Sequence, residues 1–132
     1  MLGDDIRLGY CHGQSQDFAF LAYSTPGGER ENVFKGYVMR DGRKAEVKEG
    51  HRRVCYHGGE LRWIEAQLTD TLGRVTEVRG RPLNRFVYLP YARLATWLFL
   101  MEWEGPTGII YGEEQDAWST SLWRNRREIP AG

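Results

Sequence analysis

Apolar and polar residues alternate along this chain in short runs, and turn residues separate the runs every ten residues or so. The clearest run is 60–69, ELRWIEAQLT. Leu61, Trp63, Glu65, Gln67 and Thr69 fall on one face of an extended strand, and Arg62, Ile64, Ala66 and Leu68 on the other. The run 93–103 is stronger still: Trp97, Phe99, Met101 and Trp103 share one face, and Thr96, Leu98, Leu100 and Glu102 the other. Further strands are predicted at 17–24, 31–40, 44–48, 51–56, 74–81, 84–89 and 108–112. Between them stand Pro26-Gly27-Gly28, Asp41-Gly42, His57-Gly58-Gly59, Asp70 to Gly73 and Gly105-Pro106, of which Asp41-Gly42 is the strongest hairpin signal. The segment 113–123 fits a strand or one helical turn equally well.

No stretch keeps a helical period for three turns, so the pattern predicts an all-β, antiparallel fold, a meander closed into a barrel or a strongly curved sandwich. With 132 residues there is room for one domain, read as a lead-in at 1–16, the barrel at 17–115 and a tail at 116–132. The strand 93–103 is apolar on both faces, which a free-standing barrel would not need. Either an end segment of the chain covers its outer face or another protein surface does, and a homodimer using 93–103 or its neighbour 84–89 is expected.

Composition narrows the function classes. Eighteen basic and eighteen acidic residues cancel, which argues against a nucleic-acid partner, since phosphate binding needs a basic stripe. The longest apolar run, 94–101, is too short to span a bilayer. Cys11 and Cys55 have no zinc spacing and no export signal precedes them, so they read as reduced thiols of a cytoplasmic protein. No nucleophile elbow or phosphate loop is present, and neither a metal nor an organic cofactor is expected.

What remains is an unusual aromatic content, 13% of the chain with five tryptophans. A small barrel can be filled solid by such side chains or can leave a cavity for one apolar ligand. Tyr37, Trp63, Trp97, Phe99, Trp103 and Tyr111 are the candidate lining, with Glu65 or Glu114 near its mouth. A carboxyl pushed into an aromatic cavity would hold its proton and serve as a general acid, whereas the acidic run 113–116 also fits a solvated turn.

Three blocks in order carry a family resemblance: FAFLAYSTPGGERENVFKGYVMRDGR at 18–43, AQLTDTLGRVTEVRGR at 66–81 and WEGPTGIIYGEEQ at 103–115. Together they resemble the C-terminal half of a lipocalin-like two-domain family related to carotenoid 1,2-hydratases, AttH-like proteins and fungal decalin-forming Diels–Alderases. The resemblance implies a lipocalin-like barrel for an isoprenoid or polyketide-like molecule, with acid-assisted hydration or cyclisation as the chemistry. It sets the family's closing glutamate at or near Glu114. The family's His-Arg-Asp motif belongs to the half without a counterpart here. The alternative from a different class is a non-catalytic ligand carrier or an interaction module.

Overall fold

The computed structural model describes residues 7–25, 30–58, 60–84, 86–91 and 94–119. Among them run nine strands and no helix: β1 (Arg7–Gln14), β2 (Phe18–Ser24), β3 (Arg30–Arg40), β4 (Arg43–His57), β5 (Glu60–Asp70), β6 (Val75–Pro82), β7 (Phe86–Tyr91), β8 (Leu94–Gly105) and β9 (Gly108–Ser119). The sheet order is β6-β5-β4-β3-β2-β1-β9-β8-β7, every pairing is antiparallel, and β6 also pairs β8. That last pairing closes eight strands into a barrel and leaves β7 as a ninth strand on the first part of β8. The expected all-β antiparallel barrel is therefore the fold.

Two differences from the sequence reading bear on the site. The segment read as a lead-in supplies β1, which closes the barrel between β2 and β9. Its inward positions are Gly9, Cys11 and Gly13, all buried and two without a side chain, so no apolar alternation announced it. The segments 44–48 and 51–56 are one bent strand, β4, fifteen residues long, with register shifts between Val47 and Glu49 and between Cys55 and Tyr56. The turn before it is as expected: Asp41 and Gly42 take φ of 53° and 72°, the left-handed pair of a tight hairpin.

The core has an aromatic half and a polar half. Phe18, Phe20, Val38, Leu68, Met101, Trp103 and Ile110 are at most 2% exposed, and the Phe20 and Trp103 rings meet edge to face with centroids 5.0 Å apart. Arg74 ties this part of the barrel together. It donates to Asp70 Oδ2 (2.7 Å) and to the carbonyls of Arg40 (2.7 Å) and Arg43 (3.0 Å). Arg40 in turn donates to Thr76 Oγ1 at 3.0 Å and the Val75 carbonyl at 3.1 Å. Nearer the other end of β2 and β3 lies the polar half.

Candidate functional site: a buried arginine among three carboxylates

Arg52 has no exposed surface at all, and its guanidinium faces Glu31, Glu114 and Asp116, each at most 6% exposed. The Nε–H donates to Glu31. Nη1 reaches both oxygens of Glu114 at 2.6 Å, and Nη2 reaches Asp116 Oδ1 at 2.9 Å. Ser24 adds a hydrogen bond to Glu31 Oε1 at 3.2 Å. Four strands thus converge on one cation: β3 through Glu31, β4 through Arg52, and β2 and β9 through the remaining partners.

Backbone irregularities put half of these groups inside. On β3 the buried residues are Glu31 and Val33 at the start and Val38 further on, an odd set and then an even one. The register shift at Tyr23 and Ser24 lies between them and switches the inward face. On β4 Ala45 is buried opposite Val38, whereas Arg52 is buried opposite Ala66, and the shift at Val47 and Glu49 makes the same exchange. Glu114 and Asp116 need no such device, since they continue the inward alternation of Ile110 on β9. Gly9 completes the site from β1: a side chain there would overlap the Arg52 guanidinium.

The charge balance is lopsided. One guanidinium faces three carboxyls, and two uncompensated charges in so dry a place would cost several kcal/mol each, roughly. Burial drives the Glu114 carboxyl well above its usual range; Arg52 pulls it down, but the Asp116 charge and a hydrogen bond to Asp116 raise it again. Burial disfavours the Arg52 charge too, yet Glu114, Asp116 and Glu31 outweigh it and hold the guanidinium charged. Cys11 and Tyr56 border the same cluster. Burial first, then the charge of Glu114, pushes the Cys11 thiol far up; burial and then Asp116 does the same to the Tyr56 hydroxyl. Neither is an activated nucleophile, and both cysteines are free.

The expected site residues divide. Glu114 is at the centre of the cluster, and Phe99 and Trp103 lie inside the barrel with Met101 between them, as the alternation of that strand required. Glu65 does not join them. On β5 it is Ile64, Ala66 and Leu68 that point inward, so Glu65 and Trp63 stand on the outer wall, where Trp63 carries the Arg79 guanidinium 4.7 Å above its ring. Tyr111 is 58% exposed on the outer face of β9, and Tyr37 is on the outer face of β3 with Lys44 4.6 Å from its ring. The Trp97 side chain lies outside the described residues. The single contiguous lining is thus corrected to an interior pair, Phe99 and Trp103, with Tyr37, Trp63 and Tyr111 outside. Arg52, Glu31 and Asp116 were missed. The signal for Asp116 was present in the spacing from Ile110; for the other two only the bulges could have told.

Among the described residues, no group of three His, Cys, Asp or Glu side chains is set to hold a metal ion, and no helix is long and apolar enough to cross a membrane. No protein-family model, curated protein or solved structure matches this chain.

Proposed function

We propose that this barrel binds an apolar small molecule and that Glu114 donates a proton to it. The observation that carries the reading is a fully buried carboxyl, Glu114, pushed above its usual range by burial and by the neighbouring Asp116, inside a barrel whose other interior groups include Phe99 and Trp103. Such an acid suits a substrate with little polarity of its own, an alkene or an allylic alcohol of isoprenoid or polyketide type. Transfer of the Glu114 proton to an alkene carbon leaves a carbocation. The carboxylates of Glu31 and Asp116 stabilise that charge, and aromatic faces add to it. Water then adds to the cation and returns a proton to Glu114; in ring closure a second alkene attacks instead, the cation moves to a new carbon, and loss of the adjacent C–H proton to Glu114 forms the product alkene. The Trp103 indole N–H, buried with no hydrogen-bond partner among the described residues, is a free donor for a substrate oxygen. Glu114 and Arg52 have no exposed surface, so a ligand reaches them only as the barrel end parts. The resemblance to the hydratase and cyclase family supports the same chemistry.

A second reading rests on the saturation of the cluster. Each nitrogen of Arg52 already has a carboxylate, and Arg52 has no exposed surface. On that reading the cluster is a polar clasp in a ligand carrier or interaction module without catalysis.

The test is a titration of the full chain with a fluorescent polyene fatty acid, followed by tryptophan quenching, with isoprenoid alcohols as competitors. Isoprenoid alkenes are then incubated in isotopically labelled water, and the products weighed. Saturable binding and label uptake are expected, with Glu114→Gln retaining binding and losing uptake. Binding without uptake in both proteins would favour the carrier, and absence of saturable binding would sink the proposal.

A further inference from the structure

Two rows of residues cross the outer wall of the barrel in strand register. One runs Arg30, Arg53, Glu65, Arg79 and Glu104 over β3, β4, β5, β6 and β8; the other runs Asn32, His51, Gln67 and Glu77 over β3 to β6. From Arg53 onward the charges of the first row alternate, as suits a solvated sheet face. At its β3 end the alternation breaks. Arg30 and Arg53 stand directly opposite each other, and like charges so placed repel. Among the described residues neither has a carboxylate at ion-pair distance. Arg40 and Arg43 also face each other, but Arg40 has Asp41 at 3.4 Å and acceptors on Val75 and Thr76. Arg30 instead turns Nη2 to Nδ1 of His51, 3.0 Å away. A guanidinium can only donate, so that nitrogen accepts and the ring is neutral.

We propose that this place binds one small oxyanion, the phosphate group of a small polar molecule, between Arg30 and Arg53. A recess of about 290 Å³ adjoins the pair, lined by Arg30, Asn32, Glu49, His51, Gln67 and Thr69. That volume is near the low end of ligand pockets, roughly 300–1,000 Å³, and suits a small molecule. Charge selects the class. Two facing guanidiniums match a phosphomonoester, which carries about 1.5 to 2 negative charges in neutral water, better than a single carboxylate. Glu49 is the one acid in the recess, and it lies four residues from Arg53 along β4, about 13 Å in an extended strand. The recess is therefore cationic at one end, with amide, imidazole and hydroxyl groups leading toward Glu49. An extended polyanion or an anionic lipid surface would also meet Glu49, Glu65, Glu77 and Glu104, and is disfavoured. His51 reports on the site. Arg30, Arg53 and Glu49 are the charged groups around it, with Asn32 and Gln67 beside it and Glu65 and Glu77 one position further. Burial first, then Arg30 and Arg53, hold its imidazole below the ordinary 6.5. An anion between the arginines cancels the second cause and raises it; by reciprocity, a protonated His51 tightens the binding.

Nuclear magnetic resonance of the three histidine rings in the full chain tests the proposal. Inorganic phosphate replaces chloride at constant ionic strength. A saturable shift of the His51 ring signals is expected, with its titration moved to higher pH, while His12 and His57 stay where they are. Arg53→Gln changes an exposed residue, so the fold survives, and binding is expected to weaken by at least about tenfold. Arg62→Gln, exposed on β5 and outside the recess, is expected to leave binding unchanged. No saturable shift at His51, or equal shifts at all three histidines, would overturn the proposal. So would binding indifferent to Arg53→Gln or lost in Arg62→Gln. Vesicles of phosphatidylcholine with phosphatidic acid are expected not to carry the protein down on centrifugation. If they do while free phosphate does not bind, the ligand is a lipid surface and the proposal fails.

Discussion

Arg74 and Arg52 hold the same barrel at different places, one toward the Val38 and Arg40 end of β3 and the other toward its Glu31 end, but under opposite charge balances. Arg74 has one carboxylate, Asp70, and otherwise backbone carbonyls that no pH change can remove. Asp70 also accepts the backbone N–H groups of Leu72 and Arg74, at 2.9 and 3.0 Å. Burial raises its carboxyl, but these donors and the guanidinium prevail and hold it below the usual range. Arg52 has three carboxyls and no such balance, and burial, with Asp116 beside it, pushes the Glu114 carboxyl well above its usual range. Charge matched one to one lowers the Asp70 carboxyl; charge mismatched one to three leaves the Glu114 carboxyl raised. The same side-chain types thus serve stability in one place and suit chemistry in the other.

The two sites pull stability in opposite directions with pH. Asp70 binds its proton less readily when folded, so its contribution is present above the ordinary value of 3.8 and is lost as pH falls through its lowered one. Glu114 binds its proton more readily when folded. Its contribution is fully present below the ordinary 4.5 and is lost as pH rises from there through its raised value.

The largest effect is expected at Arg52. Arg52→Met leaves three buried carboxyls without their cation and should cost about 3–5 kcal/mol in urea unfolding, or prevent folding. Asp70→Asn removes the charge from the matched site and should cost about 1.5–3 kcal/mol, with the acid limb below pH 3.8 flattened in the same unfolding curves. Gly9→Ala drives a methyl into the Arg52 guanidinium and should cost about 1–3 kcal/mol, although its own strand pairing is untouched. The smallest change in stability is expected for Glu114→Gln. The amide mimics the protonated acid, so at pH 5 the difference should be under about 1 kcal/mol. Its effect is on slope: the decline in stability above pH 4.5 should disappear.

How much of this was legible beforehand follows from where the chain obeys simple alternation. β5, β8 and β9 keep a period of two over most of their length. Phe99 and Trp103 could therefore be put on a strand and the interior face of β8 read directly, whereas the pattern at 113–123 fits a strand or a helical turn equally well and did not place Glu114. The choice between the two faces of β5 failed, because Trp63 outweighed Ile64, Ala66 and Leu68 in the reading although the three smaller residues form the buried set. Glu31 and Arg52 were illegible for a stronger reason. Each is separated by a bulge from the inward set at the other end of its strand, and a one-residue shift exchanges the inner and outer faces across it. β1 was hidden by its glycines, which are there because Arg52 and the Phe20, Trp103 and Ile110 side chains fill the space a Cβ would need.

The contrast between the two arginine sites stands on one proton. Isotope-edited infrared spectroscopy of glutamate-labelled protein at neutral pH reads it directly. A carboxylic-acid carbonyl band is expected in the wild type, shifted by deuterium exchange, persisting above neutral pH and absent in Glu114→Gln. Only carboxylate bands between pH 6 and 8, or an acid band that survives in Glu114→Gln, would contradict it.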